Sequence, residues 1–482
     1  AGAYVSGENV VGGLVGYNDG GTISESSASG TVTGIGGPAS VSSPSPAVGG
    51  NAYVGGLVGY NYGGTISESS ASGTVTGIGG SSTYKYGSIS GPVPVYGGNA
   101  YVGGLVGYND GGTINVSSAS GTVTGTGGGM NGFGYILFGR AGDAMVGGLI
   151  GYNDGGVVSA SSASGVVTGA GGNSFGISYV NFLKGGNAMV GGLVGFNTNG
   201  SIDNSHATGA VTGTGGYGRG KYGPGDTFSF GMGGNVYAGG LVGANGLYDI
   251  EIMGPVYFSG GSITGSSASG AVTAAGGNAR GFKYGFDDDS IPPIWGGNAY
   301  VGGLVGFNAY GNIAASYAYG AVTGTGGNAD VSSDAPGFMS AKGGDVYAGG
   351  LIGGSAYSSI TASHAYGMVT GTGGIGSSYG EGKYYGIGGK VYAGGLVGSN
   401  GLYDNRFFMS GPVFFAGGTI GDSTASGPVT AIGGYGYGKY GMGGKVYAGG
   451  LVGFNYGSES NVAGISGSNA SGTVVGIGGY GY

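Results

Sequence analysis

The sequence predicts an all-β protein folded as one long parallel β-solenoid, and three observations lead to this prediction. A glycine-rich motif recurs ten times along the 482 residues. Equivalent positions of the ten copies hold the same apolar or small residue, as stacked coils require. Polar and apolar residues also alternate with the period of a strand at positions 30–33, Gly-Thr-Val-Thr.

The composition excludes several classes of protein. The chain has 134 glycines but only 12 prolines, and its glycines form widely spaced pairs, which excludes collagen. Hydrophobic residues make up 40% and charged residues 7%, which favours a folded core over disorder. The absence of cysteine excludes disulfides and thiol catalysis. Thirteen dispersed Lys and Arg residues argue against a nucleic-acid partner, and no apolar run is long enough to span a membrane.

The tripeptide Gly-Gly-Leu marks the repeats, which we treat as a single array over residues 1–482. The repeats start near residues 10, 53, 101, 145, 189, 237, 300, 347, 392 and 447. Positions that hold only Leu, only Ala or only Val face a core of fixed volume. The position after Ser26 accepts Ser, His, Tyr, Thr and Asn in different repeats, so we expect it to face solvent.

A core ladder of Leu, Val and Asn columns is therefore predicted. An Asn recurs in nine repeats, with Ser355 in the remaining one, and such a column favours a side-chain amide ladder. The residues that represent the ladder are Leu14, Leu57, Leu193, Val32, Val75, Val211, Asn18 and Asn61. We expect a right-handed coil. A rod of one coil per repeat would be about 48 Å long, and two coils per repeat would double that length.

The segment Gly-Gly-Leu-Val-Gly at 12–16, followed by a T-I-S-x-S-S-A-x-G-x-V pattern, resembles the GLUG-motif repeat of bacterial surface proteins. The resemblance covers all ten repeats, about residues 10–479. It implies a secreted, adhesin-like or matrix-like β-solenoid without catalytic residues. The long aromatic insertions between the repeats depart from the family pattern.

These insertions are rich in tyrosine and lysine, and Lys-Tyr-Gly recurs in them. One interpretation is a ligand surface for cell-surface or matrix glycans, since loops on a rigid scaffold often carry recognition. The other interpretation, which we favour, is that the rings stack from coil to coil and stiffen the loops. The tyrosines concerned are Tyr86, Tyr222, Tyr284, Tyr384 and Tyr440.

Two further insertions, at 246–261 and 401–417, resemble each other and are predicted to form apolar hairpins. Apolar hairpins outside the repeat core are candidates for a subunit contact, through residues such as Phe407 and Phe408. Folding back onto the flank of the solenoid is the alternative, and the sequence does not favour either.

Nothing in the sequence predicts an enzyme or a cofactor. The two histidines, His206 and His364, occupy the column after Ser26, where most repeats have Ser. The run Asp287, Asp288 and Asp289 is a weak candidate for Ca²⁺, which prefers clustered oxygen ligands. A solvated acidic loop is the more probable interpretation of this run.

Ice binding is a minor alternative, because repeats one to three read Thr-Val-Thr on the predicted strand. The second Thr persists in nine repeats, as at Thr33. The first is replaced by Val, Ala, Met or Pro from the fourth to the ninth repeat, so a regular two-rank array ends after the third.

The leading hypothesis is an extracellular structural protein whose solenoid ends pair head to tail in a homopolymer. Starting at Ala rather than Met suggests a secreted product from which a signal peptide has been removed. The expected assembly contacts at the two ends are Ala3, Tyr4, Val5, Tyr480 and Tyr482. A monomeric adhesin stalk that binds glycans through its Tyr/Lys loops is the alternative.

Overall fold

The computed structural model describes residues 4–42, 45–85, 93–133, 136–177, 182–221, 231–251, 254–283, 294–333, 337–380, 382–404, 413–458 and 461–482. Within these ranges every regular secondary-structure element is a β-strand, and the sheets that run along the molecule are parallel. The prediction of an all-β parallel β-solenoid is therefore confirmed. The described residues contain no helix that could cross a membrane.

Each repeat forms one coil, which settles the question of coil number. Val146 pairs with Val102 in the coil below and with Val190 in the coil above. The described residues place seven strands on a complete coil, and the equivalent strands stack into seven sheets, numbered here in chain order from the Gly-Gly-Leu motif.

Sheets 1 to 4 carry the first half of each coil. Sheet 1 consists of Val10–Gly12, Ala52–Gly55, Ala100–Gly103, Ala144–Gly147, Ala188–Gly191, Val236–Gly239, Ala299–Gly302, Val346–Gly349, Val391–Gly394 and Val446–Gly449. Sheet 2 consists of Val15–Asp19, Val58–Tyr62, Val106–Asp110, Ile150–Asp154, Val194–Thr198, Val242–Asn245, Val305–Ala309, Ile352–Ala356, Val397–Asp404 and Val452–Asn455. Sheet 3 consists of Thr22–Ser24, Thr65–Ser67, Thr113–Asn115, Val157–Ser159, Ser201–Asp203, Ser262–Thr264, Asn312–Ala314, Ser359–Thr361, Thr419–Gly421 and Ile465–Ser466. Sheet 4 consists of Ser27–Ala28, Ser70–Ala71, Ser118–Ala119, Ser162–Ala163, His206–Ala207, Ser267–Ala268, Tyr317–Ala318, His364–Ala365, Thr424–Ala425 and Asn469–Ala470.

Sheets 5 to 7 complete the coil. Sheet 5 consists of Tyr4–Glu8, Thr31–Ile35, Val75–Ile78, Val123–Thr126, Val167–Ala170, Val211–Thr214, Val272–Ala275, Val322–Thr325, Val369–Thr372, Val429–Ile432 and Val474–Ile477. Sheet 6 consists of Ala39–Val41, Ser82–Lys85, Met130–Phe133, Ser174–Ile177, Gly218–Lys221, Ala279–Lys283, Ala329–Ser333, Gly376–Tyr379 and Gly436–Tyr437. Sheet 7 consists of Ala47–Val48, Val93–Tyr96, Ile136–Arg140, Leu183–Lys184, Gly231–Met232, Ile294–Trp295, Gly337–Lys342 and Gly382–Ile387. Two antiparallel hairpins lie beside sheet 2, formed by Leu247–Glu251 with Gly254–Phe258 and by Val397–Asp404 with Val413–Ala416.

The coil has two lobes, joined where two segments of the chain pass close to each other; we call this junction the waist. One segment is a glycine pair that follows sheet 5, and the other, usually also a glycine pair, follows sheet 7. The chain therefore crosses the waist twice in a complete coil. The crossings alternate along the axis: Gly128 N–H donates to Gly98, and Gly142 N–H donates to Gly128, both at 2.8 Å. A side chain at Gly128 would overlap the carbonyl oxygen of Gly80, so only glycine lets the two crossings approach this closely.

The main lobe, formed by sheets 1 to 5, contains the long apolar core. The Leu column and the Val column are fully buried through its interior, as at Leu57, Leu193 and Val75. Val32 and Val211 are buried in the same way. The second lobe is formed by sheets 6 and 7 and is built from the variable insertions. It has smaller apolar clusters of its own.

Leu14 and Leu451 end the Leu column and are not fully buried, and the expectation that the Leu14 side chain is enclosed is wrong. Leu14 is 53% exposed because it lies on the first coil, at the end of its column. The fully enclosed part of the Leu column therefore begins one coil later, at Leu57.

Candidate functional surfaces

An amide ladder runs along the corner that follows sheet 2. In each step the Asn Nδ2 donates to Oδ1 of the Asn one coil further on, as from Asn18 to Asn61 at 2.7 Å. The same Nδ2 also donates to a nearby main-chain oxygen, so each buried amide is well satisfied. Every Asn-to-Asn step in the described part of the chain points the same way along the axis, and the ladder is therefore polar.

The ladder is unbroken from Asn18 to Asn308. Ser355 interrupts it in the eighth coil, where its hydroxyl pairs with that of Ser358 instead. The last two coils restore the ladder through Asn400 and Asn455, at 2.8 Å. The Asn column was predicted from the sequence, and the direction of its hydrogen bonds comes from the structure.

A second polar ladder is formed by the Ser column that begins at Ser26. Each Ser hydroxyl accepts the main-chain N–H of the Ser one coil below, as Ser161 does from Ser117 at 3.1 Å. Each hydroxyl donates to a carbonyl two residues back, as Ser161 does to Ser159. The residue before this Ser has positive φ in every coil, including the non-glycine Ala160 at 46°. The ladder therefore holds the chain in a corner that costs about 1 kcal/mol in backbone strain in each coil where this residue is not glycine.

Two columns of aromatic side chains, one from sheet 1 and one from sheet 2, pack against each other. Tyr53 stacks on Tyr101 with ring centroids 4.7 Å apart, and Tyr60 stacks on Tyr108 at 4.8 Å. The columns meet edge to face, as at Tyr101 and Tyr108. Burial raises the pKa of Tyr152 to about 12, and it also raises the pKa of Tyr60, Tyr101 and Tyr108. These phenols therefore stay neutral well above physiological pH.

The bases of the two hairpins fold back onto these aromatic columns. Leu247 lies in the hairpin of coil six and Leu402 in that of coil nine, and each is only 6% exposed. They join the aromatic cluster in coils where Ala244 and Ser399 replace the ring of the sheet 2 column. At their bases the hairpins thus cover the flank of the solenoid. Phe407 and Phe408 lie outside the described residues.

The Tyr/Lys loops do not form one exposed surface in the part of the chain that is described. Tyr384 is buried at 1% exposure, so its assignment to a ligand surface is wrong; it belongs to the apolar core of the second lobe. Tyr440 is 42% exposed and stacks on Tyr385 at 5.1 Å, with Lys439 Nζ 6.0 Å from its ring. The other three tyrosines, Tyr86, Tyr222 and Tyr284, lie outside the described residues.

The two histidines lie on different coils, the fifth and the eighth. His206 is exposed, and His364 Nδ1 lies 2.7 Å from the Thr424 hydroxyl on the next coil. Asp287, Asp288 and Asp289 fall outside the described residues. The described ranges contain no group of three or more His, Cys, Asp or Glu residues placed to hold a metal ion.

The outward side of sheets 4 and 5 forms one broad outer face. It consists of the five columns that begin at Ser27, Ser29, Thr31, Thr33 and Ile35 and continue through all ten coils. No position in these columns holds Asp, Glu, Lys or Arg. The Thr33 column keeps threonine in nine coils, but its neighbours vary, so the face has one regular Thr rank rather than two beyond the third coil.

The two end coils expose parts of the core columns. At one end Leu14 is 53% exposed, and at the other Val474 is 42% and Ile465 44% exposed. Tyr480 and Tyr482 are also exposed, and they stack on Tyr435 and Tyr437 of the preceding coil.

Of the residues expected to make contacts at the first end, Tyr4 and Val5 pair with Thr31 and Val32 of their own chain. Tyr4 is 67% exposed, whereas Val5 packs against the core of the main lobe. Ala3 lies outside the described residues.

The GLUG motif matches the chain at residues 7–33, 50–76, 98–124 and 186–212. These segments are the first, second, third and fifth repeats, and each spans sheets 1 to 5. The resemblance found in the sequence is thereby confirmed. No curated protein and no solved structure matches the chain.

Proposed function

We propose that this GLUG-motif repeat protein is an extracellular structural protein, whose coils continue from one copy into the next to build a fibre. The observation that carries the proposal is that the amide ladder has unlike and complementary ends. The resemblance to secreted surface proteins supports the extracellular location, and no chemistry is assigned to the chain.

The lower end of the ladder offers an acceptor and the upper end a donor. In the described part of the chain no donor reaches Oδ1 of Asn18, whereas Oδ1 of each later Asn from Asn61 to Asn308 receives one. At the other end, Asn455 Nδ2 reaches only the Ala463 carbonyl among the described residues, at 3.2 Å, which leaves one N–H for a further partner. Asn455 of one copy can therefore donate to Asn18 of the next.

The side chains at the two ends match in the same way. Leu14 would stack on Leu451 and Ile23 on Ile465, which repeats the pairing of every interior coil. Burying this apolar surface stabilises the contact by about 25 cal/mol for each Å² removed from water. The contact joins unlike surfaces, so it does not close and generates a filament.

The strand Tyr4–Glu8 competes with this contact. Sheet 5 has eleven strands where sheets 3 and 4 have ten, because Tyr4–Glu8 pairs with Thr31–Ile35 on the outer edge. In a continuous stack, Val474–Ile477 of the preceding copy would occupy the same edge. Tyr4 and Val5 are thus displaced when the copies stack, rather than serving as the contacts expected from the sequence.

The test is a proline at the upper edge of sheet 5. Interior valines of this column donate their N–H to the coil above, as Val32 does to Thr74 and Val429 to Thr473, both within 2.9 Å. V474P removes the corresponding free donor without breaking a bond to the coil below, so we expect it to prevent filaments while the fold is retained. Negative-stain electron microscopy and a thermal melt provide the measurements.

The matched control is T473P. Pro428 already occupies the equivalent position one coil below, so proline is compatible with this column of the sheet. T473P should assemble as the unmodified chain does. Filaments of V474P as long and as abundant as those of T473P would contradict end-to-end strand pairing.

A further inference from the structure

One block of aromatic side chains interrupts the small residues of the outer face. On coils seven and eight the Ser columns are replaced by Tyr317, Tyr319, His364 and Tyr366. Tyr319 is 52% and Tyr366 45% exposed. Because water-exposed aromatic rings in neighbouring coils are not needed by the core, they point to a binding surface.

The four side chains stack in two pairs, and on the side of coil six the stack has no aromatic neighbour in the same columns. Tyr319 stacks on Tyr366 with centroids 5.1 Å apart, and Tyr317 lies over His364 at 5.2 Å. On the side of coil nine, His364 is held by the Thr424 hydroxyl. On the side of coil six, the neighbours of Tyr317 and Tyr319 in the same columns are serines, whose short side chains cannot stack on the two rings.

Serine hydroxyls lie beside the rings of Tyr317 and Tyr319. Tyr317 and Tyr319 have nearly parallel rings, 10° between planes and 6.4 Å between centroids. Ser267 and Ser269 lie beside them on coil six, and Ser267 pairs with Tyr317 in sheet 4. We call the surface formed by Tyr317, Tyr319, Ser267 and Ser269 the aromatic ledge. It combines two adjacent aromatic rings with short hydroxyl donors and acceptors.

We propose that this ledge binds a neutral polysaccharide. A pyranose ring has a C–H face that packs on an aromatic ring and an edge of hydroxyls that bonds to serine, so two successive sugar units fit two successive Tyr rings. The absence of Asp, Glu, Lys and Arg from the outer face favours an uncharged ligand over an ionic one. The ledge lies on interior coils of the solenoid and does not depend on fibre assembly.

The test is native gel electrophoresis through hydroxyethylcellulose, dextran or galactomannan, with a gel without polymer as reference. With a net charge of −8, the protein migrates towards the anode, and binding slows it. We expect at least one polymer to retard the unmodified chain. Y319A should weaken the apparent affinity about tenfold, which corresponds to about 1.4 kcal/mol, whereas Y319F should retain it.

The matched control is Y310A. Tyr310 is exposed to a similar degree, 46%, and it stacks on Tyr357 at 5.0 Å, but it lies outside the ledge. Y310A should bind as the unmodified chain does. Three results would overturn the proposal: retardation by none of the three polymers, equal losses in Y319A and Y310A, or binding of a proline-rich peptide at the ledge in place of polysaccharide.

Discussion

Replacing Gly128 with alanine is expected to lower the free energy of unfolding by about 3 kcal/mol, the upper part of the range for overpacked sites. The added methyl group would overlap the carbonyl oxygen of Gly80, which is main chain and cannot rotate away. Relief requires the two crossings at the waist to separate, which weakens the hydrogen bond from Gly128 to Gly98. Urea unfolding followed by circular dichroism measures the loss.

Gly129 provides a control one residue away. A methyl group there would meet the Asn173 carbonyl and the Ser81 hydroxyl at 3.7 Å, which is ordinary van der Waals contact. Neither glycine has positive φ, so the backbone cost of alanine is similar at both. G129A should therefore change stability by less than about 0.5 kcal/mol. Equal losses in G128A and G129A would show that close packing at the waist is not the reason for the glycine pairs.

Truncating Leu193 to alanine should cost about 2–5 kcal/mol, the usual range for an enclosed core leucine. Leu193 is fully buried in the main lobe, between Leu149 and Leu241 of the adjacent coils. Neighbouring coils are held in register by their main chains, so they cannot collapse into the cavity. Because a repeat array can unfold in parts, hydrogen exchange in coils four to six should accompany the melt.

The comparison for Leu193 is S162D. Ser162 lies in the tolerant column of sheet 4, where other coils hold His, Tyr, Thr or Asn. Its side chain points away from the core, so this substitution should shift stability by less than about 0.5 kcal/mol. Comparable losses in L193A and S162D would mean that the inward and outward columns are wrongly assigned.

The main lobe could be predicted from the sequence because stacking places identical residues at identical positions. Leu57, Leu193 and Val75 occupy columns that tolerate no polar residue, and a buried side chain is the physical cause of such restriction. The Asn column likewise indicated an amide ladder, since a buried amide is satisfied by an identical amide one coil away. Only the direction of the ladder, which gives it unlike ends, is not indicated by the sequence.

The waist and the second lobe could not be predicted in this way. The two crossings that alternate at Gly128 and Gly142 are separated by an insertion of variable length and sequence. No column pattern therefore indicates that the two pairs meet. For the same reason Tyr384 was assigned to a surface, although the second lobe encloses it.

The sequence analysis does not predict the aromatic ledge. The column that holds Tyr317 and His364 is predicted to face solvent, but one column taken alone does not show which substitutions lie side by side. Two adjacent columns changing from Ser to aromatic residues in the same two coils is the signal that would have found the ledge. Stacking turns such a coincidence into contact, as between Tyr319 and Tyr366.

Electron microscopy of the purified full chain tests the fibre proposal most directly. One coil per repeat and about 4.8 Å per coil give a single copy a length of about 48 Å. We expect unbranched filaments many times longer than this, with the same β-strand spacing continuing across every junction between copies. Separate rods of about 48 Å at concentrations well above those used for the melts would contradict it.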